Sequence, residues 1–225
     1  MNPAADAGIA LALLQVGDAY HKGEGTDVNL EQAVHNYRSA TERGLRIGQF
    51  NLGVAYLNGE GVAQNLKGAV FCFKKAADAG LAEAQYGIGL CCLLGRGVEA
   101  MEEVGRRWLE LAANQGYKLA QVAMGLLLLE GRERIRPSPH DAFNWFQRAS
   151  SGGNLLATIY LGYCFLHGLG TDEDEKKARE VIARARSEVE ARTARGELQG
   201  QDGILLTEAV DMIGKVEALL TAPEN

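Results

Sequence analysis

Leu52-Gly53-Val54-Ala55-Tyr56-Leu57-Asn58-Gly59-Glu60-Gly61-Val62, followed by Ala69 and by Phe73-Lys74-Lys75-Ala76-Ala77-Asp78-Ala79-Gly80, is the stretch that decides the fold. Its central glycine, Gly53, has counterparts at Gly17, Gly89, Gly125 and Gly162, spaced 36, 36, 36 and 37 residues apart. Six residues after each comes a second glycine: Gly23, Gly59, Gly95, Gly131 and Gly168. A third lies two further on at Gly25, Gly61, Gly97 and Gly170, where the fourth unit has Glu133. The first four units close on Gly44, Gly80, Gly116 and Gly153. A fixed period of this size marks stacked units that cannot bury their apolar faces alone.

Each unit reads as a helical hairpin. Its first helix carries the central glycine, with a second small residue five positions earlier (Ala12, Gly48, Ala84, Ala120, Ala157). Glycine inside a helix costs roughly 1 kcal/mol against alanine, so five repetitions need a packing reason. Close approach of a partner helix supplies it. The Gly-x-Gly step ends the first helix, because glycine reaches left-handed conformations without a Cβ clash. The second helix begins near Asn29-Leu30-Glu31 or Asn65-Leu66-Lys67 and buries the columns Tyr37/Phe73/Leu109/Phe146/Ile182 and Ala40/Ala76/Ala112/Ala149/Ala185. The extra residue of the fourth unit falls in Arg132 to His140, which holds Pro137 and Pro139 and reads as an elongated loop.

These residues carry a resemblance. Leu52-Gly53-x-x-Tyr56-x-x-Gly59-x-Gly61-Val62, with Ala69, Phe73-Lys74-Lys75-Ala76-Ala77 and Gly80, resembles the Sel-one-like repeat, the glycine-richer cousin of the tetratricopeptide repeat, over about residues 9 to 185. The resemblance implies an all-α, right-handed α-solenoid that acts as a scaffold or adaptor for protein complexes, with the first helices lining its concave side. The repeats are expected at 9–44, 45–80, 81–116, 117–153 and 154–190, within a single domain spanning 1–225, with a C-terminal capping helix at 200–222.

Composition narrows the function classes. The 225 residues carry a formal net charge of −6, and Arg132, Arg134 and Arg136 cluster only beside Glu130 and Glu133, so no basic stripe for nucleic acid is present. The longest apolar run, Leu126 to Leu129, sits inside a repeat helix and is too short to span a membrane. No secretory signal is visible, and Cys72, Cys91, Cys92 and Cys164 follow no disulfide pairing; Cys91 and Cys164 share one packing column. A reducing, cytoplasmic setting is expected of the chain as written. Ala4-Ala5-Asp6-Ala7-Gly8 reads like Ala76-Ala77-Asp78-Ala79-Gly80, so the chain opens either on a natural cap or on the last turn of a longer array.

His21, His35, His140 and His167 show no ligand spacing, no Cys-x-x-Cys occurs, and the Gly-x-Gly steps lack the lysine and serine of a phosphate loop. The carboxylates Glu102-Glu103 and Asp172 to Glu175 fall at second-helix starts, where they favour the helix dipole. No nucleophile, base and orienting acid come together. The sequence therefore predicts no enzyme, no cofactor and no metal.

Variable positions in a constant frame point to the binding face. Residues two before, one after and five after the central glycine share one side of the first helix. They run from Gln15, Asp18, Lys22 and Asn51, Val54, Asn58 to Gly87, Leu90, Leu94, then Ala123, Leu126, Glu130 and Tyr160, Tyr163, His167. The expected site for a partner peptide or helix is Leu90, Leu94, Leu126, Tyr160 and Tyr163, with Glu130 and His167 as polar edges. An alternative is an inhibitor or immunity-type protein that clamps a folded enzyme through its acidic rims and the Arg132–His140 loop. After Arg186 the helix is expected to continue to about Gly196. The segment Ile204 to Leu220 has Leu205, Ala209, Met212, Ile213, Val216 and Leu220 on one side, and either caps the fifth unit or fills the groove.

Overall fold

A computed structural model describes residues 3–196 and 211–218. The described elements are helical: α1 (Pro3–Lys22), α2 (Leu30–Glu42), α3 (Arg46–Asn58), α4 (Leu66–Asp78), α5 (Ala82–Leu94), α6 (Glu102–Asn114), α7 (Lys118–Glu130), α8 (Pro139–Ser151), α9 (Leu155–His167) and α10 (Glu175–Ala194), followed by a helical segment at 211–218. Two compact units result, Met1–Tyr117 and Lys118–Asn225. In the first unit α1 to α6 pack each on the next in sequence; in the second, α7 to α10 do the same.

The second helices begin where the sequence places them. Asn29 and Asn65 are the N-caps of α2 and α4, accepting from the backbone N–H of Gln32 at 3.0 Å and of Gly68 at 2.8 Å. Asp174 caps α10 in the same way, accepting from Lys177 N–H at 2.9 Å, and that bond holds its carboxyl below the usual carboxylate range. An asparagine cap like those of α2 and α4 contributes about 1 kcal/mol. At the far ends Gly44, Gly80, Gly116 and Gly153 all take left-handed backbone, with φ between 81° and 87°. Leu45 N–H returns to Ala40 C=O at 3.1 Å and Gly44 N–H to Thr41 C=O at 2.9 Å, which closes the last carbonyls of α2.

The two small residues of each first helix serve two different neighbours. A methyl group on Gly53 would lie 2.8 Å from the ring of Phe73, its own second helix; on Gly17 it would meet Tyr37 at 2.7 Å, and on Gly89 Leu109 at 2.9 Å. The residue five positions earlier faces the preceding second helix instead. A methyl on Gly48 would lie 2.9 Å from Ala40 Cβ, and 3.2 Å from the carbonyl oxygen of Tyr37. The third glycine has a related duty, since Gly61, Gly97 and Gly170 press against the backbone carbonyls of Leu30, Leu66 and Pro139, the first residues of the preceding second helices.

Three details depart from the sequence reading. Gly8 lies inside α1 and keeps ordinary helical backbone, whereas Gly80 turns the chain. The Gly80 turn is accompanied by α5 folding back on α4, whereas the stretch around Gly8 runs on as one helix. The elongated loop stops at Ser138, because Pro139 starts α8, where a missing N–H costs nothing. Within that loop Arg132 and Ile135 form an antiparallel bridge, and Ile135 is buried. Continuation to Gly196 matches α10, which ends at Ala194 with Gly196 at φ 73°.

Of the C-terminal segment only 211–218 is described; Leu205, Ala209 and Leu220 lie outside the described residues. Ile213 and Val216 are buried in one cluster with Ile159, Ala178, Ile182, Ala185 and Val189, and Met212 packs against it. Arg186 of α10 pairs with Glu217. All four cysteines are free thiols and buried.

Candidate partner-binding face

The first helices carry the variable columns at the spacing that places them on one side. In the first unit α5 holds Leu90 and Leu94 one turn apart; Leu90 is half-buried and Leu94 is 54% exposed. In the second unit α7 holds Leu126 and Glu130, and α9 holds Tyr160, Tyr163 and His167. Glu130 and His167 are exposed, while Leu126, Tyr160 and Tyr163 are half-buried.

Contacts divide these residues by how far the frame has committed them. Leu126 and Tyr160 both pack against the cluster of Ala142, Phe146, Leu161 and Cys164. Tyr160 stacks on Phe146 with centroids 4.9 Å apart and planes 12° apart, so one ring face is already covered. Tyr163 leans on the cluster that contains Ile213 and Val216, and meets His167 edge-on at 4.4 Å. Leu94, Glu130 and His167 are thus the most accessible members.

The polar columns at the amino end have a structural duty that the sequence reading missed. Asp18 accepts from the Tyr37 hydroxyl at 2.9 Å and from Asn51 Nδ2 at 3.2 Å, tying α1, α2 and α3 together. Burial, reinforced by that carboxylate, pushes the Tyr37 hydroxyl far above its ordinary range. The available signal was a carboxylate following one central glycine and an amide two residues before the next.

None of the cysteines is placed as a nucleophile. Burial raises the thiols of Cys72, Cys91 and Cys92, and pushes Cys164 up to about 11; a thiol is reactive as thiolate, which low-dielectric surroundings disfavour. In the second unit a cleft of about 610 Å³ lies among α8, α9 and α10, lined by Ser150, Thr158, Phe165, Arg184, Glu188 and Arg192 among others. Its hydroxyls bond each other at 2.8 Å, and Glu188 is taken by Arg192 at 2.7 Å. No residue of the expected binding face lines it. No described helix is long and apolar enough to cross a membrane.

A family model, Sel1 repeat, matches residues 10–45, 47–81, 82–117, 118–154 and 155–180. Among solved structures, a Sel1 repeat protein from Oxalobacter formigenes is 28% identical with a TM-score of 0.70, over 83% of this chain and 73% of that one. A protective antigen present in uropathogenic Escherichia coli strains, which displays an SLR fold, is 25% identical with a TM-score of 0.75. That match covers 94% of this chain but 47% of the antigen, so the present chain spans about half its length. An immunity protein from Pseudomonas aeruginosa is 20% identical with a TM-score of 0.56, over 95% of this chain and 84% of that one, and shares the fold. No curated protein matches the sequence.

Proposed function

The chain belongs to the Sel1 repeat family, whose repeats are protein-interaction scaffolds, and on that premise we propose that it is a non-catalytic adaptor holding a peptide or helix of a partner protein on its first-helix face. The observation that carries this reading in the first unit is Leu94 on α5, 54% exposed; in the second it is the Tyr163–His167 pair on α9, with ring centroids 4.4 Å apart and His167 exposed. Tyrosine offers ring area together with a hydrogen-bonding tip, and Leu94 offers exposed apolar area. Glu130 and His167 give the edges polar character that selects orientation.

The test compares capture from lysate by the parent chain, by Leu94→Asp and by Tyr163→Asp, with circular dichroism of each. The adaptor reading predicts a partner lost from at least one variant while helicity and the melting point hold. Identical partner sets for all three refute it. Peptides from the captured protein then separate this reading from the clamp alternative. A peptide that competes supports the adaptor, whereas capture only of the folded partner, with loss of that partner's activity, supports the inhibitor. The likeness to the immunity protein lends the clamp its fold and nothing further.

A further inference from the structure

The cleft among α8, α9 and α10 exists because the fifth repeat lacks the groups that close the corresponding space in earlier repeats. In the third repeat Trp108 packs against the cluster that joins α4 to α5, Phe73 and Ile88 included, and Lys74 lies over its ring at 5.7 Å. The fifth repeat has Val181 in that position, and Arg184 where the third has Leu111. A polar bridge is missing as well. Arg46 of α3 donates to the carbonyl of Ala79, at the end of α4, at 3.0 Å, and Gln115, at the end of α6, donates to Gln85 of α5 at 2.7 Å. Their counterparts in the fifth repeat form no such link: Leu155 is apolar, Thr158 bonds Ser150 at 2.8 Å, and Glu188 bonds Arg192 at 2.7 Å.

The result is an elongated space of about 610 Å³, a volume typical of ligand sites. Along α10 its lining runs from Val181 to Arg192, a rise of about 16 Å, which suits about five residues of extended chain. Leu161, Phe165 and Val181 make its apolar part, and Gln147 lines it in the place that Lys74 holds beside Trp108. Thr158 donates to the carbonyl of Asn154 at 3.1 Å, so Ser150 is the donor in the bond between the two hydroxyls and keeps lone pairs for an incoming N–H. The charged lining is Arg184 and Arg192 against Glu188. Arg192 holds Glu188, whereas Arg184 is exposed and has no partner among the described residues.

We propose that this cleft docks an extended segment of a partner protein that presents a tryptophan followed by an acidic residue. The indole takes the space that Trp108 fills in the third repeat, against Leu161, Phe165 and Val181, and its N–H donates to the amide oxygen of Gln147. The carboxylate meets Arg184, one turn beyond Val181 on α10. Tryptophan is the occupant because the frame closes on that ring where it supplies its own. The acidic neighbour follows from a cationic wall on a chain of net charge −6. None of Leu94, Leu126, Tyr163 and His167 lines the cleft, so the site stands or falls apart from the adaptor reading.

The test titrates the full chain with the peptide acetyl-Gly-Trp-Glu-Gly-Gly-amide, its tryptophan fluorinated, and follows binding by fluorine NMR. One buried indole and one exposed ion pair give a short peptide a dissociation constant of about 1 mM. Val181→Trp and Arg184→Leu install residues that the third repeat already holds, and circular dichroism checks that helicity is kept. Val181→Trp closes the cleft and should weaken binding by about tenfold or more. Arg184→Leu, or glutamine in place of the peptide's glutamate, should each weaken it by about threefold, and the two together by no more than either alone. The Arg184 cycle rests on an exposed residue, so it decides the matter even where Val181→Trp loses helicity. No saturable shift of the parent chain at about five times the expected constant overturns the proposal. So does undiminished binding by a folded Val181→Trp, or a loss in Arg184→Leu that is as large with the glutamine peptide as with the glutamate one. Binding of N-acetyltryptophan amide as tight as that of the peptide also overturns it, since a small molecule would then own the cleft.

Discussion

Gly53→Ala tests the packing logic, because helix propensity and tertiary contact predict opposite signs for it. In an isolated helix the change would stabilise by about 1 kcal/mol. In the folded unit the new methyl would lie 2.8 Å from both Cδ1 and Cε1 of Phe73 and 3.1 Å from Cys72 Cβ. Carbon atoms sit comfortably at about 3.5–4.0 Å, so α3 and α4 would have to separate by roughly 1 Å at this level. Phe73 is also held by Phe50, whose ring centroid lies 5.7 Å from its own. Overpacking of this kind costs about 1–3 kcal/mol; with the propensity gain of about 1 kcal/mol subtracted, a net loss of about 1 kcal/mol is expected, or a fall in melting temperature of roughly 2–4 °C. Chemical and thermal unfolding measure it directly. Gly8→Ala is the matched control, for Gly8 is also inside a helix but a methyl there meets nothing within 4 Å, and it should raise stability. A smaller Phe73→Leu ring replacement should recover part of the Gly53→Ala loss in a double-mutant cycle. Equal or greater stability of Gly53→Ala would refute the claim that these glycines exist for helix contact.

Two further expectations are independent of that one. Gly61→Ala combines a φ of 64° with a collision against the backbone of Leu30, and should cost about 3 kcal/mol or more, whereas Gly25→Ala, at φ 74° with open space, should cost only about 1 kcal/mol; equal losses in the urea midpoint would show that conformation alone requires the third glycine. At alkaline pH the Cys164 thiol, pushed up to about 11 from 9.0, and the Tyr117 hydroxyl, pushed up to about 12 from 10.0, stay protonated in the fold, both chiefly through burial. The unfolded chain loses those protons first, so it binds fewer protons, and stability should fall as pH rises from 9 to 12 while these groups add no slope below 9. Cys164→Ala should flatten the lower part of that window, and an unchanged denaturant midpoint profile would contradict the assignment.

Much of the frame was legible because its determinants are local or periodic. Asn29 and Asn65 announce helix starts by a side-chain acceptor three residues from an orphan N–H, and Gly44 and Gly80 announce ends by conformations that L-residues avoid. The binding face was legible only as a set of columns without fixed identity. Tyr160 belongs to such a column, yet its ring is stacked on Phe146; Asp18 belongs to another, yet it bonds Tyr37 and Asn51. Variation between repeats does not separate a residue free for a partner from one engaged by a neighbouring helix, since that neighbour also varies.

By itself the amino-acid order determined the hairpin, its period, its turns and the small residues that helices require of one another, since each depends on backbone geometry within a few residues or on exact repetition. Only the tertiary structure decided that Gly53 yields to its own second helix while Gly48 yields to the preceding one, and that Gly8 stays helical where Gly80 turns. It also decided that Val16 lies bare where Leu52 is buried. The physical reason is common to all three: similar local sequence meets different neighbours, and contact between helices sets the outcome.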